Sequence, residues 1–238
     1  GNTDAVTHMS YGMDPFLLSW RPYHGAAYAV VESVAKIAAA GGDVSKVRLT
    51  FQEYFERMTE DETRWGKPLA ALLGAYGAEI GLGLPAIGGK DSMSGTFNDI
   101  DVPPTLCSFA VDVNTVENVV TTELKNAGDL ILKLDVEHDE NLVPDYADIL
   151  EKYDRFRKAV VAGKIKAAYA AGFGGIIEAV SKMAFGNKLG VTLDDEVISK
   201  AELARKGYGS IIFEVSPEDL TDLDLPAIVI GKVTEAPE

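Results

Sequence analysis

Between residues 23 and 42 the apolar positions Ala27, Val30, Val31, Val34, Ala35 and Ala38 keep helical spacing, and a Gly-Gly pair closes the run. The next segment, KVRLTFQEYF, alternates apolar and polar residues, the period of a strand with one buried face. Helical spacing returns from Trp65 to about Leu82, with Pro68 placed in the opening turn. LPAIGG and PPTLCSFAVDV then read as strands. Beyond residue 125 the pattern predicts a strand over 129–136 and an amphipathic helix over 145–163 with Gly163 at its end. A strand in KIKAAYAAG and a glycine-led helix from GGIIEAV come next. Three more strands, in LGVTLD, GSIIFEVS and PAIVIGKVTE, enclose a short helix in SKAELARKG. Both halves mix helices with strands and divide between residues 115 and 125, so the class is α+β with two lobes.

A chain of 238 residues with 47% apolar and 25% charged residues can bury a substantial core. Its net charge of −15 argues against nucleic acid or an anionic membrane as partner, since phosphate surfaces require a basic face. A single cysteine, Cys107, excludes an internal disulfide and a cysteine zinc cluster, which points to a reducing cytosol. Residues 68–89 are nearly uncharged, but Glu79, several glycines and Pro85 favour a buried helix running into a strand over a membrane span. The first residues carry neither a basic start nor an apolar run, so no secretory signal is predicted. An abrupt GNTD start without methionine suggests a piece of a longer polypeptide.

The chemistry concentrates in PAIGGKDSMSGTF. It is not a Walker loop: Leu84 stands where that motif needs glycine, and Asp91 where it needs Ser or Thr. Gly88 and Gly89 let backbone N–H groups approach an anion, Lys90 supplies a cation, Asp91 a hard oxygen, and Ser92 and Ser94 hydroxyls. The bland alternative is a strand-to-loop turn with solvated charges. Asp4 sits beside hydroxyls at an exposed start. Glu32 has Lys36 one turn on, the spacing of a helical ion pair. Arg21, Tyr23 and His24 fall where the first long helix begins, a possible anion site. Gly172, Gly174 and Gly175 open a helix whose N–H groups could meet a phosphate, although close helix packing is the commoner reason for such glycines. His8 and His138 lack metal-ligand spacing.

RPYHGAAYAVVESVAKIAAAGGD, RWGKPLAALLGAYGAEIGLGLPAIGGKDSMSGTF, VPPTLCSFAVDV and FGGIIEAVSKMAFGNKLGVTLD together resemble the second half of the large form of phosphoribosylformylglycinamidine synthase. The resemblance covers essentially the whole chain. It implies an ATP-dependent ligase that converts formylglycinamide ribonucleotide and glutamine to formylglycinamidine ribonucleotide in purine biosynthesis, in the cytoplasm. It further implies two lobes like those of aminoimidazole ribonucleotide synthetase. These would be a truncated A-type lobe over 1–118, whose sheet contributes to a barrel, and a B-type α/β lobe over 119–238. Mg²⁺ and ATP or ADP are the implied cofactors. By this likeness Asp4, Glu32 and Asp91 would be metal ligands, while Thr3, Gly88, Gly89, Lys90 and Ser92 would lie beside the nucleotide. Glu32 is thereby moved from surface pair to ligand. Lys36 stands where the family often has Asn, and AAGFGG lacks the Asp of the family's Asp-Gly-Gly.

The implied partners are the first synthetase half and a glutaminase domain. No catalytic residue is expected here, and the piece alone is expected to be inert and to form a homodimer. Two alternatives stand beside this reading. One is a non-catalytic nucleotide-binding scaffold within that enzyme. The other is a different synthetase of the same superfamily.

Overall fold

A computed structural model describes residues 3–236. In chain order the first part runs β1 (Ala5–Gly12), α1 (Pro15–Trp20), α2 (Pro22–Ala39), β2 (Arg48–Tyr54), α3 (Glu62–Leu82) and β3 (Ala86–Lys90). A small hairpin, β4 (Thr96–Phe97) and β5 (Ile100–Asp101), leads to β6 (Thr105–Thr115). The second part is β7 (Leu130–Leu134), α4 (Tyr146–Val161), β8 (Ala167–Ala170), α5 (Gly175–Phe185), β9 (Gly190–Leu193), α6 (Lys200–Leu203), β10 (Ile211–Val215), α7 (Pro217–Leu220) and β11 (Ile228–Thr234).

Most of the expected elements are present, and several details differ, the β4–β5 hairpin and α7 being further additions. β1 and α1 were not anticipated, although AVTHMSYG alternates outward and inward along its length. α3 begins one turn earlier than Trp65 because Asp61 caps it, its carboxylate accepting from Thr63 N. Pro68 therefore lies inside the helix.

The first sheet has the order β1-β6-β2-β3, antiparallel except for the parallel β2–β3 pair. Helices α2 and α3 cover one of its faces, and the opposite face is bare. The sheet stays open, with β1 and β3 as edges, so no barrel closes among the described residues. The second sheet, β8-β10-β7-β11-β9, is wholly antiparallel. Its central strands are buried on both sides. Leu132, Leu134, Ile211 and Phe213 face one apolar cluster, and Ile131, Ile212 and Ile230 face another under α5.

The strands of the two sheets come from successive parts of the chain, but one apolar interior runs through both. One cluster runs from Leu49 and Leu106 through Val30 and Val34 of α2 to Phe156, Leu132 and Phe213. The halves are also joined by polar groups. Asp14 caps α1, its Oδ1 accepting from Phe16 N and Leu17 N at 2.9 and 3.1 Å. Its Oδ2 receives the ammonium of Lys206 and, at 3.0 Å, the hydroxyl of Tyr208. Burial pushes the Asp14 carboxyl upward, but Lys206, the Leu17 N–H and Tyr208 outweigh that and hold it below its ordinary range.

Removing Asp14 strands a charged partner at this junction. Asp14→Ala is expected to lower stability by about 3 kcal/mol, within the range for breaking one side of a buried pair. Lys206→Ala in the Asp14→Ala background is expected to add little. Chemical denaturation of the four variants of the cycle checks this, and strict additivity would contradict it. Because Asp14 is depressed, its contribution is present above its ordinary value of 3.8 and lost as pH falls through its folded value.

Candidate functional site

The C-terminal ends of β1, β2 and β3 and the start of β6 lie along one rim of the first sheet. The register fixes this: Gly12 pairs with Ser108, Gln52 with Cys107, and Gln52 with Lys90. Glu32, Glu53 and the Lys90–Ser94 segment are carried to that rim by α2, β2 and β3.

Glu32 is buried on α2 and both of its oxygens are engaged. Oε2 accepts from Met13 N at 2.9 Å, and Oε1 faces Lys36 Nζ at 2.9 Å. The helical ion pair offered by the spacing is formed. Lys36 also donates to Tyr11 O at 2.7 Å and lies 4.6 Å from the centre of that ring.

Gly88, Gly89 and Lys90 are not a turn; they are the exposed edge strand β3. Gly89 is required by strand pairing, since a Cβ there would come within 2.8 Å of Phe51 O where the β2–β3 register shifts. Thr50 Oγ1 donates to Gly88 O, and Gln52 Nε2 to Lys90 O, each at 3.0 Å.

From Asp91 the chain runs on beside the end of β2 in the same direction. Ser92 N donates to Glu53 O, Phe55 N to Ser92 O and Gly95 N to Phe55 O. Asp91 is exposed, and the Ser92 and Ser94 hydroxyls lie 3.0 Å apart. The segment is fastened below. Thr96 Oγ1 donates to Asp101 Oδ1 at 2.6 Å, and Arg64 pairs with Asp101 at 2.7 Å. Glu56, buried, receives Lys67 at 2.8 Å.

Pattern reading missed Glu53. It shares strand parity with Leu49 and Phe51 and so points inward, 6% exposed, with Oε2 buried and unpartnered. Burial, reinforced by Asp91, pushes its carboxyl up to about 7. That parity was the available signal.

Thr3 and Asp4 are placed elsewhere. Asp4 precedes β1 at the opposite end of the sheet, its carbonyl accepting from Val116 N at 2.8 Å. The nine residue steps from Asp4 to Met13 span about 30 Å of extended chain. The structure therefore does not bring Asp4 to Glu32 or Asp91. Among the described residues no three His, Cys, Asp or Glu side chains are grouped to hold a metal. The metal set Asp4, Glu32 and Asp91 does not assemble in this chain: a β-strand separates the first member, and Glu32 spends its oxygens on Met13 and Lys36.

Gly172 of the glycine-rich turn in the second half approaches this rim, since a Cβ there would stand 3.4 Å from Glu32 Oε1. Gly175 has φ +65°, and a Cβ on it would meet Arg205 O at 2.3 Å, so backbone geometry accounts for that glycine. The first turn of α5 already holds an anion, because Glu178 Oε2 accepts from Gly174 N at 2.8 Å.

Two open sheets sharing one apolar interior, with loops of both halves meeting at the strand ends, form a fold shared with solved structures. Over nearly the whole chain the fold matches Thermotoga maritima PurL complexed with AMPPCP (TM-score 0.78, 18% identity, 97% of this chain and 40% of that one). It also matches Escherichia coli HypE, a hydrogenase maturation protein (TM-score 0.67, 17% identity, 98% and 80%).

In sequence the chain resembles the PurL subunit of phosphoribosylformylglycinamidine synthase, as its motifs suggested. The Sulfurovum subunit is 26% identical over 250 residues, covering 94% of this chain and 33% of that protein. The Methanobrevibacter smithii subunit is 25% identical over 183 residues, covering 64% and 26%. The chain thus spans about a quarter to a third of the curated relatives it matches. No family model matches it.

The raised Glu53 carboxyl gives a signed expectation. The folded state holds a proton between pH 4.5 and about 7 that the unfolded chain releases, so this residue costs stability as pH rises through that window. Glu53→Gln is expected to raise Tm over wild type at pH 8 and to change it little at pH 5. Thermal melts at the two pH values check this, and an equal shift at both would contradict it.

Proposed function

We propose that this chain is the second part of the synthetase portion of a phosphoribosylformylglycinamidine synthase, an ATP-dependent ligase of purine biosynthesis. The observation that carries the proposal is the alignment with a PurL subunit along 94% of the chain. The likeness to HypE rests on fold alone, and fold alone does not fix chemistry. Solved structures of T. maritima PurL complexed with ATP and with FGAR support a nucleotide and formylglycinamide ribonucleotide as ligands of the whole enzyme.

In this reading Lys90, Asp91 and Ser92, exposed at the end of β3, contact a nucleotide in a site completed by groups outside this chain. The Gly88–Gly89 edge leaves room for it to approach. Asp91, the one predicted ligand at this rim with free oxygens, would hold a nucleotide-borne Mg²⁺, whose charge would offset that of the phosphoryl groups. Glu32 holds α2 against Met13 and stays out of the metal shell. The first synthetase half and a glutaminase domain are the proposed partners in a cytoplasmic enzyme.

The bare face of the first sheet fits such an assembly. Met9, Tyr11, Phe109 and Val113 crowd it, Met9 being 80% and Val113 64% exposed. An apolar sheet face of this kind marks a packing surface. By itself the chain covers it by pairing with a second copy.

Calorimetry with Mg–ADP is expected to give at least about tenfold weaker binding for a Lys90→Ala, Asp91→Ala double variant than for wild type, the loss of about 1.4 kcal/mol. Equal affinities would remove these residues from the site. The 238-residue chain is expected not to turn over formylglycinamide ribonucleotide with ATP and ammonia. In sedimentation, Met9→Glu with Val113→Glu is expected to convert a dimer to monomer, and a wild-type monomer would refute the pairing.

A further inference from the structure

We infer that the outer face of α3 is an interface with a second copy of this chain, the two α3 helices lying antiparallel. The helix keeps its small residues inside and its large ones outside. Ala71, Gly74, Ala75 and Ala78 are buried, and a Cβ on Gly74 would collide with Tyr23 O of α2. Trp65, Leu69, Leu72, Leu73, Tyr76 and Ile80 point outward and are 44–66% exposed. A helix that is apolar on both faces belongs between two layers, and only the inner layer comes from the same chain.

No free charge interrupts the outer stripe. The two charged residues between Trp65 and Ile80 are turned onto the chain itself: Lys67 pairs with Glu56 at 2.8 Å, and Glu79 Oε1 accepts from Ala86 N at 2.7 Å. In a chain of net charge −15, an uncharged helix face of this length is a surface built for contact. Trp65 is also fixed in place, its Nε1 donating to Thr59 O at 2.9 Å, which makes the widest side chain of the stripe a rigid anchor.

The order of the stripe identifies the occupant. Its successive spacings, 4, 3, 1, 3 and 4 residues, read the same from either end. A two-fold axis between Leu72 and Leu73 therefore sets Trp65 against the second copy's Ile80, Leu69 against its Tyr76 and Leu72 against its Leu73. A partner of unrelated sequence would need that pattern by coincidence, whereas a second copy has it by symmetry, as an isologous contact requires. Gly66, Ala70 and Gly77 flank the large side chains and let the two axes come close. Half-exposed side chains of this size present on the order of 100 Å² each, so each copy contributes roughly 600 Å². That area lies at the lower edge of stable interfaces, which makes the pairing reversible, with a Kd on the order of 100 µM. The stripe is on the helix-covered side of the first sheet and shares no residue with the bare face opposite.

The Met9→Glu, Val113→Glu chain isolates this contact from any pairing through the bare face. Sedimentation equilibrium is expected to show that chain monomeric at about 5 µM and mostly dimeric at about 500 µM. Adding Leu69→Glu with Ile80→Glu is expected to weaken the dimer at least about tenfold. Both side chains are exposed, so Tm is expected to stay unchanged, and Leu69→Met with Ile80→Met is expected to keep the dimer. Cysteines read the orientation, with Cys107→Ser added to remove the native thiol. Under mild oxidation at the higher concentration, a mixture of Leu69→Cys and Tyr76→Cys chains is expected to give at least about tenfold more cross-linked dimer than either chain alone. A chain that stays monomeric throughout, whether or not it binds zwitterionic lipid vesicles, would overturn the proposal. So would an unchanged Kd in the glutamate variant, or either cysteine chain cross-linking with itself in preference to the other.

Discussion

Helix α2 is apolar on nearly every side, and that constrains everything around it. Ala26, Ala29, Val30, Val31, Val34, Ala35 and Ile37 are all essentially sealed from solvent. A helix buried all round must be covered all round. The first sheet covers one side with β1 and β6, α3 another, and α4 with β8 and β10 of the second sheet the rest. Neither half of the chain can satisfy α2 alone, so the two sheets share one interior despite their separation in sequence. The small side chains of this helix let its neighbours come close, and the rims of both sheets are thereby brought to one place.

That arrangement explains why polar links cluster where the halves meet. Asp14 comes directly after β1 and reaches Lys206 and Tyr208, while Arg157 of α4 donates to Asn114 Oδ1 at 3.0 Å and to Gly41 O at the other end of α2. Each link ties the first sheet to the second across the helix they share. A buried carboxylate with four donors is expensive to desolvate and costly to disturb, which favours one relative placement of the halves over others.

Much of this was legible because hydrophobic period survives tertiary packing: α2, α4, α5 and nearly all strands fall where spacing put them. β1 is not legible in the pattern because its outward residues include Met9 and Tyr11, which dull the alternation. The candidate site was less legible. Sequence shows which residues carry oxygen ligands, but not the direction in which a strand carries them. Asp4 and Met13 are neighbours in number and lie at opposite ends of one sheet. Glu53 is distant in number from Glu32 and arrives at the same rim. Glu32 itself has the spacing of a helical ion pair and forms it.

The diglycine shows how one sequence feature can have two physical causes. Glycines before a lysine suggest an anion cradle, and here the backbone of Gly88 and Gly89 is extended edge strand, with Gly89 pressed against Phe51 O. An edge strand still presents a row of backbone groups on its free side, and a residue without a side chain leaves that row open. Strand pairing therefore accounts for the glycine while leaving the outer edge available to whatever lies beyond it. The chain just past β3 is more restricted: the Glu53 and Phe55 backbone holds Ser92 and Gly95, and Arg64 and Asp101 brace the hairpin beneath. A segment this firmly fastened presents Asp91 and Ser92 in one fixed direction. A ligand must come to that rim, since the rim is not built to move toward it.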